Sequence, residues 1–268
     1  MPSQADHADA FHNLHRDFLI LPNAWDSVSA RLVEEAGAKA VATSSAAVAW
    51  AHGYADGHDL PIEKLAATIE EIVRVVAIPV SADAEGGYAD DPAHVGENIA
   101  ALIGAGAVGI NLEDGKAPHD LHLRKVEAAR AAAERAGVNL FINARTDVIL
   151  KQLVPAEQAV EETIRRGRAL KEAGASGLFA PLVVKPDDIK AIAGGVDLPL
   201  NVIAWKGAPD AAALKALGAR RLSAGTKIAA VALRAVRESA SAFLETGDSD
   251  ALTALAGEPV NYNALMKG

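Results

Sequence analysis

The chain has 268 residues, 50% of them hydrophobic and 23% charged, which is enough apolar material for a well-buried globular core. A formal charge of −9 argues against a nucleic-acid partner, which selects a basic face, and the lack of cysteine removes disulfides, thiolate metal sites and cysteine nucleophiles together. No apolar run reaches the roughly 18–20 residues that cross a bilayer, and the polar segment 1–10, with Asp6 and Asp9, resembles neither a signal nor a transit peptide. A cytoplasmic protein with no membrane partner is therefore expected.

Taken in chain order, FLILPNA (18–24) reads as the first strand. A pattern then recurs in which a helix-like stretch ends in Gly-Ala and a short apolar run follows: EEAGAKAVATS (34–44), IGAGAVGINLED (103–114), KEAGASGLFAPL (171–182) and KALGARRLSAG (215–225). Glycine just past a helix takes the left-handed conformation that stops it, and the Val, Ile and Leu run after it suits a strand buried on both faces. IPVSAD (78–83), VNLFINAR (138–145) and LPLNVIA (198–204) bring the series to eight candidate strands. Between them, IEKLAATIEEIVRVV (62–76) and PAEQAVEETIRRGRALKEAG (155–174) carry apolar residues at helical spacing, and an eighth helix is expected at about 226–240.

Strands alternating with helices imply parallel pairing and right-handed crossovers, and eight such units in about 250 residues make a closed barrel. An open doubly wound sheet is the alternative, but no glycine-rich dinucleotide fingerprint follows the first strand. The expectation is one (β/α)8 TIM-barrel domain over 1–268, with a C-terminal helical extension at about 241–268 whose apolar residues cover the barrel or a neighbouring subunit.

Barrel chemistry sits where strands run into the following loops. Reading just past each strand gives Asn23 and Asp26; Thr43, Ser44, Ser45 and, further on, Asp56; Asp83 and Glu85; Asn111, Glu113 and Asp114; Asn143, Arg145 and Asp147; and Asn201. So many carboxylates at one mouth repel one another unless a cation lies among them, and hard oxygen ligands suit Mg²⁺, with Mn²⁺ as substitute. Asp83 and Glu85 stand two positions apart at a strand end, where both can turn towards one ion. Arg145 in a barrel interior implies a bound carboxylate or neutralisation of the acids. Asp26 serves equally well as a helix cap, and Asn201 as a partner for backbone groups.

Together AWDSVSARL, the TSS run, SADAEGGY, GINLEDG and INARTD resemble the isocitrate lyase/phosphoenolpyruvate mutase superfamily, collinearly from about Leu21 to Asn201, and PVNYN (259–263) resembles a tail in its smaller bacterial members. The resemblance implies a (β/α)8 barrel whose last helix is exchanged between subunits of a homo-oligomer, dimer or tetramer. It implies making or breaking C–C or P–C bonds beside an oxo acid, through an enolate held on Mg²⁺. By position it implies Asp83 as the direct metal ligand, Glu85 (where an Asp is usual) and Glu113 binding mainly through water, and Asp56 reaching the metal shell from the loop after the second strand. It implies substrate binding by the backbone of Ser44 and Ser45 and by Arg145.

The loop GKAPHDLHLR (115–124) departs from the family. The lyases carry a Lys-Lys/Arg-Cys-Gly-His loop there and the phosphonate enzymes a lysine followed by Thr and Asn, whereas this chain has Pro118-His119-Asp120. The reading is a Mg²⁺-dependent carbon–carbon lyase on a small 2-oxo or 2-hydroxy carboxylate of oxaloacetate or malate type. Arg145 is the catalytic oxyanion partner, His119 or Lys116 the proton carrier on a mobile loop, and Asn201 a further substrate contact. Phosphonopyruvate mutase or hydrolase chemistry, and oxo-acid binding without catalysis, are the alternatives.

Overall fold

The computed structural model describes residues 2–258 and 260–267; Met1, Gly268 and Pro259, the first residue of the PVNYN segment, lie outside the described residues. Helix α1 (Gln4–Leu14) comes before β1 (Leu19–Leu21) and β2 (Asn23–Ala24). Then follow α2 (Ser27–Glu35), β3 (Val41–Thr43), α3 (Ser45–Ala51), α4 (Ile62–Val75), β4 (Val80–Asp83), α5 (Pro92–Gly104), β5 (Gly109–Glu113), α6 (His119–Ala136) and β6 (Phe141–Arg145). The second half runs α7 (Ala159–Glu172), β7 (Gly177–Phe179), α8 (Pro186–Gly195), β8 (Leu200–Ile203), α9 (Ala211–Ala216), β9 (Arg221–Ser223), α10 (Lys227–Thr246), α11 (Ser249–Ala256) and α12 (Tyr262–Leu265).

Among the described residues nine parallel strands form one sheet, ordered β1-β9-β8-β7-β6-β5-β4-β3-β2. The expected first strand, 18–24, is divided at Pro22, which has no N–H to give to a ladder. Its first half pairs with β9 and its second with β3. The Leu21 carbonyl accepts from Ala224 N–H and the adjacent Pro22 carbonyl from Ala42 N–H, both at 3.2 Å. One strand thus serves both edges, and the ring closes as a TIM barrel.

Alternation along each strand sorts the side chains. Ile110, Leu112, Ile142 and Ala144 are buried in the apolar layer beneath the helices. Asp83, Asn111, Asn143, Arg145, Asn201, Arg221 and Ser223, at the alternate positions, meet one another across the interior. Helix α2 starts where Asp26 accepts the Ser29 N–H at 2.7 Å, so Asp26 is a cap.

Helix α1 has no counterpart among the predicted elements. Ser3 and Asp6 form a reciprocal capping box at its start, and Ala8 and Phe11 are fully buried. Phe11 meets Phe141 edge-on at 5.4 Å and His15 stacks on Phe141 at 3.9 Å, so the helix plugs the N-terminal end of the barrel. Gly109 is required there, because a Cβ would stand 2.5 Å from the Phe11 ring. Helix α10 is longer than expected and runs unbroken to Thr246, into the region expected as extension. Ala229 is its one buried residue, while Val231, Leu233, Val236 and Leu244 are 49–84% exposed.

His15 gives the fold a pH dependence. Burial first, then the nearby Arg221 charge, lowers its pKa to about 3. Its unfolded value is about 6.5, so between the two values the native state binds fewer protons than the unfolded chain. The stabilisation is complete above the unfolded pKa and is lost as pH falls towards the folded one, by about 2 kcal/mol at pH 5. Urea unfolding at pH 7 and pH 5 should show a smaller loss in His15→Gln than in the parent protein. Equal losses in the two proteins would remove His15 as a cause.

Candidate active site at the C-terminal mouth of the barrel

A cavity of about 180 Å³ opens where the strands end. Ser44, Ser45, Asp56, Asp83, Asn111 and Arg145 line its polar side, and Phe179, Pro181, Leu182, Ile203 and Trp205 its apolar side. Asn23 is in the floor as a brace. Its amide donates to the Thr43 carbonyl and accepts the Gly225 N–H, both at 2.8 Å, tying the first strand to the loops on either side.

Asp83, the last residue of β4, is 9% exposed. Its backbone N–H donates to Thr43 Oγ1 at 2.8 Å, and its Oδ2 accepts the Ser45 N–H at 3.1 Å. Its Oδ1 is buried without a hydrogen-bond partner. The Ser44 N–H, the other expected carboxylate donor, is engaged with the Ala24 carbonyl at 3.3 Å. Glu85 is locked differently: one oxygen accepts the His58 N–H at 2.6 Å and the other the Tyr88 hydroxyl at 2.9 Å. The ring of His58 in turn accepts the Gly86 N–H at 2.8 Å. Glu85, His58 and Tyr88 all hold positive φ, between 47° and 70°, without being glycine. Such strain persists only where surrounding contacts over-determine it, and it gathers at functional sites. Burial raises the Glu85 pKa above the ordinary carboxylate value, against the two hydrogen bonds.

Arg145, at the end of β6, bonds Glu113 at 2.7 Å on one side and Asp147 at 2.7 Å on the other. Lys151 adds a second cation to Asp147 at 3.0 Å. Burial pushes Glu113 up to about 7 even with Arg145 beside it. Burial works against the Arg145 charge, but Glu113 and Asp147 outweigh it and its pKa is raised. Asp114, expected to work with Glu113, turns away instead. It accepts from Thr146, the Asp147 N–H and Arg166 at 2.7–2.8 Å, so it braces the wall behind the site.

Other expected residues stay outside the cavity lining. Lys116 is exposed on the short turn after β5. His119 needs a correction: the expected mobile loop 115–124 ends at Pro118, and His119–Arg124 are the opening turns of α6. Pro118 supplies the extended residue before the first turn, and Asp120 sits favourably in that turn. Both ring nitrogens of His119 are buried without partners, and burial, then Arg166 and Arg165, lowers its pKa to about 4. Asn201 lies behind Ser223, which donates to its Oδ1 at 3.2 Å, and its Nδ2 is buried without a partner. Sequence reading missed Lys151 and Arg221. Lys151 follows Asp147 by four residues in the segment after a strand, which was a usable signal.

The sequence matches the phosphoenolpyruvate phosphomutase family over residues 11–244. The chain belongs to that family. A Burkholderia cenocepacia protein of known structure, provisionally described as a phosphonomutase, is 40% identical with a TM-score of 0.83, covering 87% of this chain and 98% of its own. An uncharacterized protein of Mycobacterium tuberculosis is 32% identical over 220 residues, 81% of this chain and 82% of that protein. Oxaloacetate decarboxylase of Paraburkholderia xenovorans is 29% identical over 241 residues, 83% and 77% of the two chains. The expected resemblance to the isocitrate lyase/phosphoenolpyruvate mutase superfamily is thereby borne out, and the phosphomutase family is one of enzymes.

Arg145 carries a stability test. Arg145→Met leaves Glu113 and Asp147 with the Lys151 charge alone, and breaking a buried pair from one side costs roughly 3–5 kcal/mol. Adding Glu113→Gln should restore part of that loss, as measured by chemical denaturation. A single-variant loss below about 1 kcal/mol would contradict the network's weight.

Proposed function

We propose that this family member is a Mg²⁺-dependent lyase that breaks or forms a C–C bond beside the oxo group of a small 2-oxo or 2-hydroxy carboxylic acid. The observation that carries this reading is the buried, unpartnered Oδ1 of Asp83 in a cavity that also holds Arg145 and Asp56. A buried carboxylate oxygen without a donor is costly, and a hard cation is the ligand that relieves it. Among the described residues no three His, Asp or Glu side chains form a ready cage for a metal. In this reading Asp83 is the one direct ligand, with Asp56, Glu85 and Glu113 acting from further out. When bound, the cation supplies Lewis acidity to a substrate oxygen.

The chain's own groups do the rest. Arg145 faces the cavity with its charge anchored by Glu113 and Asp147, so it grips an oxo or carboxylate oxygen and stabilises the enolate as the neighbouring bond breaks. The Ser45 N–H, which already holds a carboxylate oxygen of Asp83, is a donor suited to an acid group. The apolar wall from Phe179 to Trp205 keeps water from the reacting carbon. His119 and Lys116, the candidate proton carriers, reach the cavity only if the turn 114–118 moves. Phosphonate chemistry is the second reading, favoured by the 40% identity to the protein described as a phosphonomutase.

Turnover of a panel of oxo and hydroxy acids and phosphonopyruvate decides between them: pyruvate or oxalate release supports the lyase, phosphate release the phosphonate branch, and binding without turnover a non-catalytic role. Isocitrate and 2-methylisocitrate should not be cleaved above background, since the cysteine loop is missing. Asp83→Ala should abolish Mg²⁺ binding in calorimetry, and unchanged affinity would remove Asp83 as ligand.

We also read the chain as one domain, located in the cytoplasm, whose C-terminal helices join copies into a homo-oligomer. No helix of the described residues is long and apolar enough to cross a membrane. The exposed apolar face of α10 and an open groove of about 940 Å³ lined by Phe18, Trp25, Leu32 and Ile228 support the oligomer. Val236→Glu should then lower the mass measured by light scattering; a monomer in the parent protein at micromolar concentration would contradict it.

A further inference from the structure

Arg221 lies inside the barrel, fully buried, with no carboxylate in salt-bridge contact among the described residues. Its Nε and Nη1 have no partner, and its Nη2 donates to Asn111 Oδ1 at 3.4 Å. Burial lowers its pKa to about 9, so the side chain is still charged at neutral pH. A lone buried charge costs stability, and an apolar residue of similar volume commonly serves a core as well or better. Packing therefore gives no reason for an arginine here.

Its neighbours supply one. Asn111 Oδ1 accepts from Asn143 Nδ2 at 2.8 Å as well as from Arg221. Guanidinium can only donate, so the Asn111 atom that meets it must be the oxygen. With Oδ1 turned inward and held by two donors, the Asn111 NH₂ has no acceptor among the described residues, and Asn111 lines the cavity. The nearest acid to influence Arg221 is Asp83, on the same cavity floor.

We propose that Asn111 is a substrate-binding donor in the cavity floor and that Arg221 is the positioning residue that fixes its amide N–H towards an anionic oxygen. The ligand class is a carboxylate or oxyanion, and the inference rests on the oxo-acid reading of this site. On the plugged side lies His15, which burial and the Arg221 charge keep neutral.

Oxalate binding to the full chain with Mg²⁺, followed by calorimetry, tests this. Arg221→Met and Asn111→Ala should each weaken oxalate at least 10-fold. The double variant should be no weaker than Asn111→Ala alone, because Arg221 acts through Asn111. The Tm of Arg221→Met should equal or exceed that of the parent protein, an outcome a purely structural arginine would not give. Asn111→Asp, which keeps the shape and can pair with Arg221 but has no N–H to present, should lose oxalate while retaining its Tm. Unchanged oxalate affinity in Arg221→Met or Asn111→Asp overturns the inference, as does a loss in Arg221→Met that comes with a lowered Tm and adds fully to Asn111→Ala. A parent protein that binds no oxalate removes the oxo-acid reading and the inference together; binding that ignores Arg221 removes the inference alone.

Discussion

The closure of the ring at residues 19–24 is the constraint from which the rest follows. A parallel sheet buries its edges poorly unless they meet, and here one short segment pairs with β9 before Pro22 and with β3 after it. All strands then run the same way, and their C-terminal ends share one rim. Residues as distant in sequence as Asn23 and Gly225 come within 2.8 Å. Asp83 and Arg145 end β4 and β6, and Asn111 stands midway along β5 between them, so their separation is set by ladder geometry and not by loop conformation.

Within that frame the site is a balance of charges, few of them free. Arg145 and Lys151 hold Glu113 and Asp147, Arg166 holds Asp114, and backbone and phenol donors hold Glu85. What remains uncompensated is small and specific: one oxygen of Asp83 above, and the guanidinium of Arg221 below. Of the two, only Asp83 lines the cavity; Arg221 meets it through Asn111.

Much of this was legible in the sequence, and the failures have physical reasons. The Gly-Ala stops followed by Val, Ile and Leu runs located the strands because a strand buried on both faces has little choice of residue. The strand-end rule put Asp83, Asp56, Ser44, Ser45 and Arg145 together, and they line one cavity. Helix α1 was missed because it buries only Ala8 and Phe11, too few to make a periodic signal among polar residues. His119 is expected in a loop because the family resemblance places one after β5, yet α6 begins directly after Pro118, and proline is at home at the start of a helix. Arg221 was passed over because one of two adjacent arginines beside a strand looks like solvent-facing charge. Its spacing of two from Ser223, which meets Asn201 across the barrel interior, shows on which face it stands.

The plug formed by Phe11, His15 and Phe141 turns the barrel into a blind vessel. Whatever enters the mouth must leave through the mouth. A reaction that splits one molecule into two therefore imposes a queue: the fragment nearer the rim departs first, and the one seated on the floor waits behind it. The order of departure belongs to the architecture before any residue of the site has acted.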